Sequence, residues 1–245
     1  LSVIVFWGLN LMLILFYYFR FSCIEIYKVT KTEWPWIYDK KSWKILFYST
    51  IKFLLINQVL ISFTLITLVY YYIESFTNLD LNYIPGSLEF STQILFCMIC
   101  YDVTFHITHR ALHEISFLYK NIHNVHHEYN CPIGVSAIYA HPLEYVFGNV
   151  LPGVVGPWLL GNNMHLITFF GWTCWGLSST IEQHCGYDFP FLPFSIIPFA
   201  FGARYHDFHH SRYGYNYSSN FTYLDSIGKT NKVYLEYLEK RNNIE

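Results

Sequence analysis

From Ser2 to Phe19 the chain carries no charge, and Arg20 closes the stretch. Roughly 20 such residues cross the hydrocarbon layer as a helix, so the pattern predicts a transmembrane span. A second long apolar stretch, Ile45 to Ile73, is broken by Lys52, Asn57 and Gln58. Lysine snorkels towards the interface and the two amides would hydrogen-bond a neighbouring helix, so this too is a span. A third runs from about Phe90 to Thr108 and leads straight into a group of histidines. The last apolar region, Ile133 to Ile181, contains Pro142, Pro152, Gly153, Gly156, Pro157 and Gly161. It predicts a broken hairpin followed by one more helix, about Met164 to Ile181.

Charge then orients the bundle. Arg20, Lys28, Lys31, Lys40, Lys41 and Lys44 lie between the first two spans, whereas the segment from Glu74 to Glu89 has no lysine or arginine. By the positive-inside rule the first loop is expected on the cytosolic side and the second in the lumen. Composition agrees with a membrane protein, since 53% of the 245 residues are hydrophobic and 13% charged. A net charge of −2 with scattered basic residues gives no field for nucleic acid, so partners are expected among lipids and proteins. The six cysteines form no regular framework and read as packing residues of a reducing compartment.

Chemistry concentrates in three short stretches, "HRALH" (109–113), "HNVHH" (123–127) and "HDFHH" (206–210). On a helix, residues three and four apart share a face, so His109 with His113, His123 with His126 and His127, and His206 with His209 and His210 each predict a chelating face. Neutral imidazole is a common ligand for iron, zinc, copper and nickel, and a structural thiolate zinc site lacks its cysteines. Eight imidazoles exceed what one tetrahedral ion takes, so two ions held jointly are the economical expectation. Six of the 12 histidines fall between His106 and His127. Buried together with nothing to bind, they would leave donors unsatisfied or force like charges together. His106 and His165, standing alone, read instead as packed core residues.

The blocks "DVTFHITHRALH", "YKNIHNVHHEYNCP", "YAHPLE", "QHCGYDFP" and "HDFHHSRYGYNYSSNFTYLD" resemble the fatty acid hydroxylase superfamily of membrane di-iron oxygenases, most of all its C-4 methylsterol monooxygenase branch. The resemblance covers about Asp102 to Asp225. It implies an all-α, polytopic membrane helical bundle with a cytosolic, histidine-rich dimetal cap. Residues 1–89 would hold transmembrane helices and loops, 90–230 the histidine-motif domain, and 231–245 a tail. The iron ligands it implies are His109, His113, His123, His126, His127, His184, His206, His209 and His210, with His141 of "AHPLE" as a further candidate. Ser179 and Cys185 depart from the branch pattern, as do "YNY" at 215–217 and "GKT" at 228–230. None of these is a proposed ligand, so they bear on substrate choice.

What the resemblance implies about activity is oxidation of a sterol C-4 methyl group in three O2-dependent steps, in the endoplasmic reticulum membrane. Two iron ions would be the cofactor, and electrons would come from NAD(P)H through cytochrome b5 or a reductase. No nicotinamide fingerprint is present, so a partner delivers them, docking on Arg110, Lys120, Arg204 and Arg212. Asp102, seven and eleven residues before His109 and His113, shares their face and is expected to accept the second N–H of a ligand imidazole. Glu144 is favoured for the same role among the carboxylates that adjoin the motifs, Glu128, Glu144, Glu182 and Asp207. The proline-rich segment Phe189 to Gly202 is expected at the interface, bordering the mouth of the substrate pocket. Desaturases, side-chain-removing enzymes and fatty acid hydroxylases would share the same framework. A metal transporter would place its histidines along a mid-membrane path, and a scaffold would have no reason to keep all three groups. The expected topology is checked by protease protection: reporters in the 20–44 loop and at the C-terminus are cleaved from the cytosolic side, and one in the 74–89 loop is protected.

Overall fold

The computed structural model describes residues 1–200 and 202–242, and among these there is no β-strand, only two isolated bridges. The helices of the bundle are α1 (Ser2–Phe19), the pair α2 (Lys40–Leu54) and α3 (Ser62–Phe76), α4 (Ser87–Glu114), α5 (Leu151–Leu160) and α6 (Leu166–His184). Beyond them stand α7 (Ala203–Arg212), α8 (Tyr223–Gly228) and α9 (Lys232–Asn242). Ser2–Phe19, Lys40–Leu65 and Ser87–Glu114 are each long and apolar enough to cross a bilayer. Their outward faces are unpartnered: Ile4, Phe63 and Leu88 are about three-quarters exposed, as lipid-facing residues would be. The protein is thus an all-helical membrane bundle carrying a histidine-rich cap.

Polar residues inside the second stretch are absorbed locally. A π-helical turn, Leu55–Ile61, joins α2 to α3 without a break, and the buried Asn57 donates to Ile138 O (3.1 Å) and Ala140 O (2.9 Å). Gln58 accepts from Trp7 Nε1 at 3.0 Å, tying the span to α1. Each amide therefore meets a neighbouring segment, which is why the helix survives them.

Two contacts define the ends of the bundle. At one end the loop after α1 pairs with the chain beyond α6: Val29 N donates to Gly186 O (2.9 Å) and Asp188 N to Tyr27 O (2.8 Å). Gly186 adopts a left-handed φ of 71° there, and a Cβ on it would sit 2.9 Å from the Trp34 ring. Tyr17, Trp34, Trp36 and Tyr187 pack as one aromatic cluster around this joint. At the other end Asn78 N donates to Met164 O (3.0 Å), Leu166 N to Asn78 O (3.1 Å) and Gln93 Nε2 to Asn163 O (2.8 Å). The loops 20–39 and 77–86 accordingly lie at opposite ends. Segment 142–160 runs away from the histidine end, turns at Gly161–Asn163 and returns as α6, so the hairpin is made with α6 itself, in place of the broken hairpin followed by one more helix that its prolines and glycines predict.

That hairpin is seated against α4 at Gly156, where a Cβ would lie 2.8 Å from Cys97 Cα. Small residues let membrane helices approach this closely. Gly156→Leu should push α5 off α4 and cost about 1–3 kcal/mol, read as a lowered thermal midpoint in detergent with the helical signal retained.

Candidate metal centre

Four structural pieces meet at the Tyr17–Gly186 end of the bundle. The last turns of α4 bring His109 and His113, a 3-10 turn (His123–Glu128) brings three imidazoles, α6 ends on His184, and α7 carries His206, His209 and His210. Glu182 holds α7 in place by accepting from Ala203 N (3.3 Å) at its start. The imidazoles sort into two groups, His109, His113, His123, His127 and His209 in one, His126, His184, His206 and His210 in the other, with candidate ligand atoms within 4.8 Å of one another in each.

This partition departs from the three chelating faces read from the motifs. His123 and His127 serve the first group while His126 between them serves the second; His206 and His210 serve the second while His209 serves the first. Consecutive residues are turned by about 100° on the α-helix that carries His209 and His210 and by about 120° on the 3-10 turn that carries His126 and His127. Consecutive imidazoles therefore diverge, and each "HxxHH" motif spans both groups, interlocking them.

In the first group His113 Nε2 lies 2.7 Å from His123 Nε2, 3.2 Å from His127 Nε2 and 3.1 Å from His209 Nε2. In the second, His184 Nε2 is 3.3 Å from His126 Nε2 and 3.0 Å from His206 Nε2, which is 3.2 Å from His210 Nε2. Five of the opposite ring nitrogens are held from behind, whereas Nδ1 of His127, His206 and His210 is buried with no partner among the described residues. His109 Nδ1–H donates to Tyr217 O (2.8 Å), His123 to Glu144 Oε1 (2.7 Å), His126 to Tyr139 O (2.9 Å), His184 to Thr180 O (2.7 Å) and His209 to Tyr215 O (2.6 Å). With the proton on Nδ1, the Nε2 lone pairs face one another. Burial pushes His123, His127, His206, His209 and His210 well below the ordinary histidine range and His126 down to about 4, so these rings are neutral at physiological pH. Converging lone pairs repel unless a cation sits among them. Ligands about 2.1 Å from one ion and at right angles stand about 3 Å apart, so the spacing fits a metal in each group.

The remaining site expectations fall out unevenly. Glu144 does accept from a ligand-type imidazole. Asp102 does not: fully buried, it accepts from Asn220 N (2.9 Å), Asn220 Nδ2 (3.0 Å) and Phe221 N (2.7 Å), because the 214–222 loop folds across its face of α4 before any imidazole can reach it. Asp225, which sequence reasoning passed over, anchors the same loop by accepting from Tyr217 N (3.0 Å), Ser218 N (2.8 Å) and Tyr205 OH (2.7 Å). His141 stands outside both groups, where its Nδ1 accepts from Leu143 N (3.2 Å) and caps the turn Pro142–Glu144. Among the basic residues, Arg204 is paired with Asp188 at 3.0 Å and Arg110 with Glu114 at 2.7 Å. The orienting carbonyls of Tyr139, Thr180, Tyr215 and Tyr217 have no residue-type signal and could not have been found by motif.

A space of about 20 Å³ adjoins the imidazoles, enough for a water-sized molecule. Beside it lies an apolar cavity of about 330 Å³ lined by Phe6, Leu65, Ile138, Val154, Phe169 and Trp172 among others. The segment 189–202 lines neither, in contrast to its expected place at the mouth, and Phe201 lies outside the described residues. Phe194, Ile197 and Ala200 close a separate 10 Å³ space behind Trp175.

The stretch that carries the histidines is also where the chain is similar to known proteins. The fatty acid hydroxylase family profile matches residues 94–230. A putative methylsterol monooxygenase of Dictyostelium discoideum is 48% identical over 139 residues, 56% of this chain and 50% of the relative. Methylsterol monooxygenase 2-2 of Arabidopsis thaliana is 44% identical over 155 residues, 62% of this chain and 56% of the relative. Methylsterol monooxygenase 1 of Rattus norvegicus is 37% identical over 220 residues, 89% of this chain and 71% of the relative. The matches to the first two thus span about half of those proteins. No solved structure matches. If the nine imidazoles hold metal, Glu144→Ala should lower metal affinity about 10- to 100-fold while Glu144→Gln, which keeps an acceptor for His123, loses far less; metal-to-protein ratios after graded chelator treatment check this.

Proposed function

The chain belongs to the fatty acid hydroxylase family, and from that premise we propose that it is a membrane di-iron oxygenase acting on the C-4 methyl group of a sterol. The observation that carries the reading is the convergence of nine imidazole nitrogens, in two groups, beside an apolar cavity of about 330 Å³. His109, His113, His123, His127 and His209 would hold one ion, and His126, His184, His206 and His210 the other. Bound iron supplies the oxygen chemistry that attacks an unactivated C–H bond, which no side chain can do.

The chain's own residues do the rest. Glu144 and the carbonyls of Tyr139, Thr180, Tyr215 and Tyr217 keep protons on Nδ1 of His123, His126, His184, His209 and His109, and so hold the Nε2 of these five rings ready to bind. The apolar cavity takes the substrate's rings from the bilayer and keeps bulk water from the reacting carbon. Three rounds convert the methyl to alcohol, aldehyde and carboxylate, each consuming one O2 and two electrons and releasing water. Electrons arrive from NAD(P)H through a cytochrome b5 or a reductase. Exposed Lys120 and Arg212 are the better docking cations, since Arg204 is committed to Asp188. Residues 90–230 form the catalytic unit, with the histidine end of the bundle on the cytosolic face of the endoplasmic reticulum.

Expression in yeast lacking its own sterol C-4 oxidase tests the assignment. C-4 demethylation should be restored by the chain and abolished by His113→Ala or His206→Ala, one from each group. A new ring double bond, a shortened side chain or a hydroxylated fatty acid in the lipid profile would move the activity to another branch of the family.

A further inference from the structure

The small space at the imidazoles and the large apolar cavity share four lining residues, Tyr101, Ala137, Asn149 and Thr180. A molecule lying in the large cavity meets the centre through this neck. Ala137 has no polar side-chain atom, and the Thr180 hydroxyl donates to Gly176 O at 2.8 Å. Tyr101 faces Thr180 and Ser219. Hydroxyls further along the large cavity are engaged in the same way, Thr173 with Phe169 O (3.0 Å) and Ser62 with Asn57 O (2.9 Å), while Tyr145 OH meets Ser62 Oγ (2.9 Å).

Asn149 differs. It is partly buried, and its carboxamide makes no hydrogen bond among the described residues. It also sits on a π-helical turn, Tyr145–Val150, directly after the segment that carries Glu144. Such turns insert an extra residue at the expense of helix geometry and recur where a side chain is needed at a site. A carboxamide in an apolar wall without a partner is unfavourable, so its donor and acceptor call for a polar atom on whatever fills the neck.

We propose that Asn149 determines specificity by hydrogen-bonding the hydroxyl on the ring carbon next to the one that bears the oxidised methyl group. The proposal rests on the sterol reading above. A sterol carries its hydroxyl on C-3, so bringing the C-4 methyl to the centre carries that oxygen into the neck, while the fused rings and side chain fill the apolar cavity. A neutral hydrogen bond made in this setting distinguishes a hydroxylated ligand from one without the oxygen, whereas hydrophobic contacts alone do not.

The test compares a 4-methylsterol with its 3-deoxy analogue, on wild-type full-length protein and on Asn149→Leu, each in lipid nanodiscs. Equilibrium binding is measured on metal-loaded and metal-depleted samples, so the readout does not depend on turnover. Asn149→Leu should weaken binding of the hydroxylated sterol roughly five- to tenfold and leave the 3-deoxy analogue essentially unchanged, with wild-type metal content. Asn149→Ala supplies the same comparison should the leucine variant fold poorly. Equal weakening of both ligands, or of neither, overturns the role of Asn149 while wild-type oxidation of the 4-methylsterol leaves the assigned activity standing. A wild-type protein that binds neither sterol overturns both.

Discussion

Repulsion among converging nitrogen lone pairs is the constraint on which this structure turns. Neutral imidazoles brought to about 3 Å separations, with their protons held on the far nitrogen, are stable only around a cation. The protein grips five of the nine rings from behind. Glu144 and four backbone carbonyls do this, and the carbonyls are themselves fixed: Tyr215 and Tyr217 belong to a loop pinned by Asp225 and Asp102, two fully buried carboxylates whose oxygens are taken up by backbone and side-chain donors. Asp102 thus acts on the site one step removed from where its helix position pointed.

Interlocking follows from helix geometry. Each "HxxHH" motif contributes to both groups, so neither group can shift without disturbing the other, and the 3-10 turn 123–128, α4, α6 and α7 are joined through the imidazoles. Much of what joins these elements on the apolar side is aromatic packing, chiefly the cluster of Tyr17, Trp34, Trp36 and Tyr187 that docks the first loop beneath the end of α6. In a membrane, where lipid offers no hydrophobic drive for helix association, close approach at Gly156 and hydrogen bonds such as those of Asn57 do the remaining work.

Legibility differed by element for physical reasons. The spans were readable because a bilayer imposes length and apolarity directly on sequence, and charge asymmetry in the loops matched the opposite ends at which loops 20–39 and 77–86 lie. Span limits shifted where a π turn absorbed Asn57 and where α4 ran on through the first histidine pair to Glu114. The described residues of segment 189–202 line neither the small space nor the large cavity, a placement hidden from the sequence because composition alone does not fix where a proline-rich apolar segment packs. Asp225 was overlooked because a carboxylate that anchors a loop looks like any other until the loop is closed.

By itself the sequence determined the membrane character, the order of the apolar stretches, and eight imidazoles set at helical spacing, since periodicity and residue chemistry are local properties; the ninth, His184, has no such partner in the sequence. Tertiary structure alone decided which imidazole joins which group, which acceptor holds each ring, and where the apolar cavity meets the histidines. Those depend on directions of side chains and carbonyls brought together from positions as distant as His109 and Tyr217, and no local pattern encodes a direction in space.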